Sequence, residues 1–150
     1  MKYALELIQD TGIGGAKPTA TPLEHNTKLT TVEYDHSLQQ ENKGEDYSAD
    51  KAEFQRLIGR LLYLKHTRSD IAFSVQHLSQ FMNQPKKEHM EAALRVVRYI
   101  KNNPRLGIIL KASSSCQLVA SCGSDWATCL MTRKSVTGFC VKLRDSLVSW

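Results

Sequence analysis

Near residue 105 the hydrophobic period of this chain changes, and that change limits the folds open to it. Between residues 50 and 102 apolar side chains return every three or four positions, the spacing of one helix face. Beyond Pro104 they alternate or gather as β-branched residues, the pattern of strands. A chain that places its helices first and its strands afterwards reads as α+β, not as an alternating parallel α/β sheet.

The helical part divides into three. Asp50 followed by Glu53 resembles a capping box with Asp in the cap position. Phe54, Leu57, Ile58, Leu61 and Leu62 then make the stripe of a first helix. Gly59 interrupts it at about 1 kcal/mol relative to Ala, so it is read as a close packing contact. Ser69 is a candidate cap for a second helix with Ile71, Val75, Leu78 and Met82 on one face, stopped by Pro85. A third runs from 87 to 102, with Met90, Ala93, Leu94, Val97 and Ile100 facing inward, and Pro104 ends it. Strands are expected at 106–110, 117–122, 135–143 and 147–150, with Arg144, Asp145 and Ser146 as a hairpin turn. So few strands without a covering helix leave one apolar face open.

The first 49 residues read differently. Residues 2–10 suit a short helix with Leu5 and Ile8 on one side and Gly12 as its C-cap. The stretch from Gly12 to Thr19 invites comparison with phosphate-binding loops and fails it. Ala16 stands where Gly precedes the Lys, Pro18 stands where Ser or Thr follows it, and the third Gly of a dinucleotide motif is missing. Residues 17–49 are rich in Pro, Thr, Asn and acidic groups, which reads as an extended linker arm. The expected domains are an arm over 1–49, a helical subdomain over 50–105 and strands over 106–150.

Charge follows the same division. Residues 1–50 carry four Lys and nine Asp/Glu, a net −5, whereas residues 51–150 carry sixteen Lys/Arg and six Asp/Glu, a net +10. A polyanionic partner for the basic part is one reading, and a solvated surface is the other. On the third helix Arg95, Arg98 and Lys101 share a sector of about 120° at 100° per residue, and Arg56 and Arg60 stand one turn apart on the first. Glu91 precedes Arg95 by four residues, so part of this charge is expected to pair within the helix.

No segment reaches the roughly 20 apolar residues that span a bilayer, and Glu6 and Asp10 break any signal-peptide core, so an intracellular chain is expected. Cys116, Cys122, Cys129 and Cys140 show no Cys-x-x-Cys spacing, so free thiols packed as small apolar residues are expected and a structural zinc site is not. His25, His36, His66, His77 and His89 are scattered and form no nucleophile–base pattern, and His89, at a helix start, is read as structural. Trp126 and Trp150 are expected to pack rather than stack on bases.

Several ordered segments carry a resemblance. Residues 54–64 (Phe-Gln-Arg-Leu-Ile-Gly-Arg-Leu-Leu-Tyr-Leu), then Thr67-Arg68-Ser69-Asp70-Ile71-Ala72-Phe73, Leu78-Ser79-Gln80-Phe81-Met82 with Pro85 and His89, and Arg95-Val96-Val97-Arg98-Tyr99-Ile100-Lys101 resemble copia-type retrotransposon Pol polyproteins just after the reverse-transcriptase palm. Ser124-Asp125-Trp126-Ala127 and Arg133-Lys134-Ser135-Val136-Thr137-Gly138-Phe139 are similar to the opening of that polyprotein's RNase H domain.

The resemblance implies a three-helix thumb/connection-like subdomain followed by an incomplete antiparallel RNase H-like β-meander. It also implies a window from a longer polyprotein, without the palm's paired Asp residues and hence without polymerase chemistry. RNase H chemistry holds two magnesium ions on several carboxylates. The family's first such Asp lies two residues before the Asp of the Asp-Trp pair, a position filled here by Gly123. Asp125 would point to the same face but sits almost 7 Å further along a strand, at about 3.3 Å per residue. It is therefore a remnant candidate at most, and no catalytic residue, metal site or cofactor is assigned to this chain; magnesium is expected only for the intact parent enzyme. Arg56, Arg60, Arg95, Arg98 and Lys101 are the candidate nucleic-acid-binding residues. They would grip an RNA–DNA hybrid or duplex by its phosphates without reading sequence. The remainder of the Pol polyprotein is the other implied partner. The alternatives are a residual metal-dependent RNase H-type endonuclease and a co-opted helical protein-interaction module or inert relic.

Overall fold

A computed structural model describes residues 2–24, 28–38, 48–111, 117–127, 129 and 131–150. The chain divides into two compact units, Met1–Leu106 and Gly107–Trp150, each taken by itself below.

The first unit is helical. α1 (Lys2–Asp10) leads through the left-handed Gly12 (φ 67°) into a 3-10 turn, Ile13–Gly15. Only glycine takes that backbone region without a steric cost, which explains the residue at this helix end. α2 (Val32–Ser37) follows, then α3 (Lys51–Leu64), a 3-10 turn (Ser69–Ile71), α4 (Ala72–Ser79) and α5 (Lys87–Asn102). α5 is the centre, since α1, α3 and α4 all pack on it. Phe54, Leu57, Ile58, Leu61 and Leu64 of α3 are buried, as are Ile71, Val75, Leu78 and Phe81 around α4 and Ala93, Val96, Val97 and Ile100 of α5. α1 closes the same core with Ala4, Leu7 and Ile8.

In several details the structure departs from the sequence pattern. The buried stripe of α5 is His89, Ala93, Val96, Val97 and Ile100; Met90 and Leu94 are only half-buried. That stripe keeps the i, i+4, i+7, i+8, i+11 spacing but is rotated about the helix axis relative to the expected one. Ser69 does not cap α4, which starts from Ile71 with no side-chain cap and ends at Ser79, well short of Pro85. Met82 lies past its end and Phe81 is buried instead. On α1 the inward residues are Ala4 and Leu7 with Ile8, while Leu5 is exposed. Gly59 marks no close contact, because an added Cβ would meet nothing within 4 Å. The Asp50 cap is present: its Oδ1 accepts the Glu53 N–H at 3.0 Å.

The arm is not uniformly extended. Thr31 caps α2 by accepting the Tyr34 N–H, and Leu29 is buried. Residues 48–49 pair with 85–86, through the bridge Ser48↔Lys86 and a hydrogen bond from Ala49 N–H to the Pro85 carbonyl. Residues 39–47 lie outside the described residues.

The second unit is a three-stranded antiparallel sheet in the order β1 (Leu118–Ser124), β2 (Thr137–Leu143), β3 (Ser146–Ser149). Ser124 pairs with Thr137, Gly123 with Gly138 and Cys122 with Phe139, and a bulge interrupts β2 against β3 at Val141/Lys142. Arg144 (φ 55°) and Asp145 make the hairpin turn, and Ser146 already belongs to β3. The strand expected at 106–110 does not form. Among the described residues of this unit only Ser146 is fully buried, and Leu118, Val119, Phe139, Leu143 and Val148 are exposed. Cys122 is an exposed free thiol and Cys129 and Cys140 are half-buried, so they are not the core residues expected; Cys116 lies outside the described residues. Trp126, expected to pack, is 93% exposed.

Candidate nucleic-acid interface

The five basic candidates all lie in the helical unit, and the fold uses three of them itself. On α3, Arg60 forms an ion pair with Asp10 of α1 at 2.7 Å and lies over the Tyr3 ring at 5.5 Å. On α5, Arg95 donates from Nη1 to Glu24 at 2.8 Å and from Nη2 to Thr21 at 3.2 Å. Lys101 donates to the Gly14 and Ala16 carbonyls at 2.6 and 2.7 Å, satisfying acceptors that the short 3-10 turn leaves open. Among the described residues, Arg56 and Arg98 enter no ion pair. The intrahelical pairing expected between Glu91 and Arg95 is replaced by the longer-range pair with Glu24.

The charge split of the sequence thus folds back on itself. Acidic groups of the first third meet basic groups of α3 and α5 at Asp10–Arg60, Glu24–Arg95 and Asp35–Lys86. The first two pairs have carboxylates that are more than half exposed, so each contributes only about 0–1 kcal/mol. The third is different.

Lys86 Nζ lies 2.8 Å from Asp35 Oδ2, with side-chain exposures of 1% and 7%. Thr30 Oγ1 donates to Asp35 Oδ1 at 2.6 Å and accepts from Lys86 Nζ at 3.0 Å. His89 completes the cluster. Its Nδ1 accepts the Lys86 N–H at 3.0 Å, which leaves the proton on Nε2 to donate to the Thr30 carbonyl at 3.1 Å. Its ring stacks on Phe81 with centroids 4.0 Å apart. Burial, reinforced by the Lys86 charge, lowers its pKa to about 4. This neutral, fully bonded imidazole matches the structural role expected of it.

A second buried charged group lies in the connection between α3 and α4. Arg68 is 2% exposed, grips Asp70 through Nε and Nη2 at 2.9 and 2.7 Å, and donates Nη1 to the Asn103 carbonyl at 2.9 Å. Burial of the Asp70 carboxyl pushes its pKa up, but the Arg68 hydrogen bonds and charge outweigh this and hold it below the usual carboxylate range. Arg68 ties the end of α5 to the α3–α4 connection. Its signals in the sequence are the local Arg-x-Asp spacing and its place in the segment Thr67–Phe73 that carries the resemblance.

In the second unit Asp125 follows directly on β1. Its backbone N–H donates to the Val136 carbonyl and its carboxylate accepts the Val136 N–H, so it closes the strand pair. Gly123, two residues earlier, pairs with Gly138. Among the described residues, no three His, Cys, Asp or Glu side chains gather in a metal-binding group. No helix among them is long and apolar enough to cross a membrane.

Comparison with known proteins places the chain. Aligned over 99% of its length, it is 36% identical to the retrovirus-related Pol polyprotein from transposon RE1 of Arabidopsis thaliana and 29% identical to that from transposon TNT 1-94 of Nicotiana tabacum. The chain belongs to the copia-type Pol polyprotein family. It spans 9% and 11% of those two polyproteins. It is also 33% identical to an uncharacterised mitochondrial protein of Arabidopsis thaliana, of which it spans 57%. No protein-family model and no solved structure matches it.

Proposed function

We propose that this chain is a catalytically incomplete piece of a copia-type Pol polyprotein. Residues 50–105 act as the thumb/connection-like part, and residues 106–150 contribute the first strands of an RNase H-like domain. What remains to it is a sequence-independent grip on the phosphates of an RNA–DNA hybrid or duplex, carried chiefly by Arg56 and Arg98. The observation that supports this most is that these two guanidiniums enter no ion pair among the described residues, while residues 51–106 hold eleven Lys/Arg against four Asp/Glu. Guanidinium groups meet phosphate oxygens as two-point donors and neutralise them without sampling base edges.

Cleavage is not part of this reading. Gly123 offers no side-chain oxygen for magnesium, and the Asp125 carboxylate already accepts a backbone N–H across the strand pair. A lone carboxylate is a poor magnesium site without further ligands. A gel-shift titration with an RNA–DNA hybrid at about 20 mM salt, with magnesium added in a parallel lane, tests both halves. Binding without cleavage is expected. Magnesium-dependent cleavage that Asp125→Asn abolishes would favour the nuclease reading instead.

A helical interaction module without a nucleic-acid role is the second reading. It draws on the internal use of Arg60, Arg95 and Lys101. The same titration separates them, because such a module leaves the hybrid unshifted.

A further inference from the structure

Residues 19–24 run along α5 as a strap and hold Arg95 from three sides. Thr19 Oγ1 donates to the Arg95 carbonyl at 3.4 Å, Thr21 Oγ1 accepts from Nη2 and Glu24 accepts from Nη1. Beneath the strap lies a groove of about 220 Å³ that Arg95 and Arg98 both line. Among the described residues, the Nε atoms of both arginines are closed off from solvent and have no hydrogen-bond partner. An unpaired buried donor costs free energy, so two of them on side chains that line one groove favour a rearrangement in which an acceptor reaches them.

We propose that the Glu24 carboxylate is a built-in competitor for a phosphodiester oxyanion at the Arg95–Arg98 groove, so that the strap regulates the grip of α5 on nucleic acid. This rests on the phosphate-grip reading above. Carboxylate and phosphate present the same pair of oxygens to a guanidinium fork, so one can stand in for the other. Glu24 is held by tethering rather than by burial: its side chain is 65% exposed, whereas that of Arg95 is 22% exposed. An exposed pair of that kind is weak, and a polyanion that touches several cations at once displaces it. Glu88 and Glu91 also border the groove. With Glu24 in place three carboxylates line the groove beside the two guanidiniums; removing the strap carboxylate takes away one negative charge there and lowers the repulsion an entering anion meets.

The test is a fluorescence-anisotropy titration of a labelled RNA–DNA hybrid against the full chain, its Glu24→Gln variant and a Glu33→Gln control. Glu33 is exposed on α2 and enters no ion pair among the described residues, so the control makes the same change in net charge away from the groove. Glu24→Gln is expected to bind about threefold to tenfold tighter, with a salt dependence steeper by about one in the log–log slope. Glu33→Gln is expected to match the wild type, and Arg95→Gln added to Glu24→Gln is expected to cancel the gain. Equal affinity of the wild type and Glu24→Gln, or the same gain from Glu33→Gln, overturns the strap while leaving the grip intact. Failure of both the wild type and Glu24→Gln to bind at about 20 mM salt overturns the grip itself.

Discussion

Lys86 Nζ and Asp35 Oδ2 meet 2.8 Å apart in the interior, joining the N-terminal arm to the start of α5 across 51 residues of sequence. Taking two charges out of water is costly, and their attraction repays it only while both partners are present. Asp35→Asn leaves Lys86 buried with its main counter-charge gone and should destabilise the helical unit by about 3–5 kcal/mol. Replacing both, as Asp35→Leu with Lys86→Met, should recover most of that loss. Urea unfolding followed by circular dichroism measures it. A single-variant loss below about 1 kcal/mol would place the pair among ordinary surface ion pairs.

His89 gives this cluster a pH signature. Its folded pKa of about 4 lies below the ordinary histidine value of about 6.5, so the unfolded chain takes up the proton first. The contribution is complete above about pH 6.5, falls away as pH drops toward 4 and amounts to about 3 kcal/mol. Denaturant midpoints measured from pH 7 to pH 4 should therefore decline in the wild type and much less in His89→Gln. Parallel curves for the two proteins would contradict the assignment. Loss from Asp70, whose pKa is lowered, belongs to a more acidic window below about pH 4 and separates from it.

Arg68 should tolerate no conservative exchange. Lysine at this position keeps the charge but loses the two-point grip on Asp70 and the bond to the Asn103 carbonyl. Arg68→Lys is expected to lower stability by about 2 kcal/mol, within the range for charged hydrogen bonds. Thermal unfolding checks it, and a wild-type midpoint would show that the fork geometry does not matter.

Gly59 offers the opposite sign. It sits in the exposed middle of α3 with open space around the position of a Cβ. Gly59→Ala should stabilise the unit by about 0.5–1 kcal/mol through helix propensity and a less free unfolded chain. Destabilisation in the same unfolding assay would mean that the site is tighter than its geometry shows.

What could be read from the sequence follows from what local spacing encodes. The change of period predicted α+β, and α3, α4, α5 and three of the four expected strands are present, while the strand expected at 106–110 is not formed. The Asp50 cap was legible because a cap is a local hydrogen bond between residues three apart. The rotation of the α5 face was not, because Met90 and Leu94 are as apolar as Val96, and only the neighbouring helices decide which side is covered. The roles of Asp35, Lys86, Glu24 and Thr21 were hidden for the same reason. Each depends on a partner more than 50 residues away, which composition reports only as a charge imbalance between the first third and the rest of the chain. That imbalance suggested an external polyanion. Three ion pairs satisfy part of it inside the fold and engage Arg60 and Arg95, and Lys101 is held by backbone carbonyls, which leaves Arg56 and Arg98 as the candidates that enter no ion pair among the described residues.

The most direct measurement is the salt dependence of hybrid binding by the full chain beside Arg56→Gln, Arg98→Gln and their combination. A phosphate grip predicts that affinity falls linearly in log–log form as salt rises from about 20 to 200 mM, with each substitution making the slope shallower by about one. Wild-type binding that is absent at about 20 mM salt, or that neither substitution changes, would contradict the grip and leave these helices as scaffold alone.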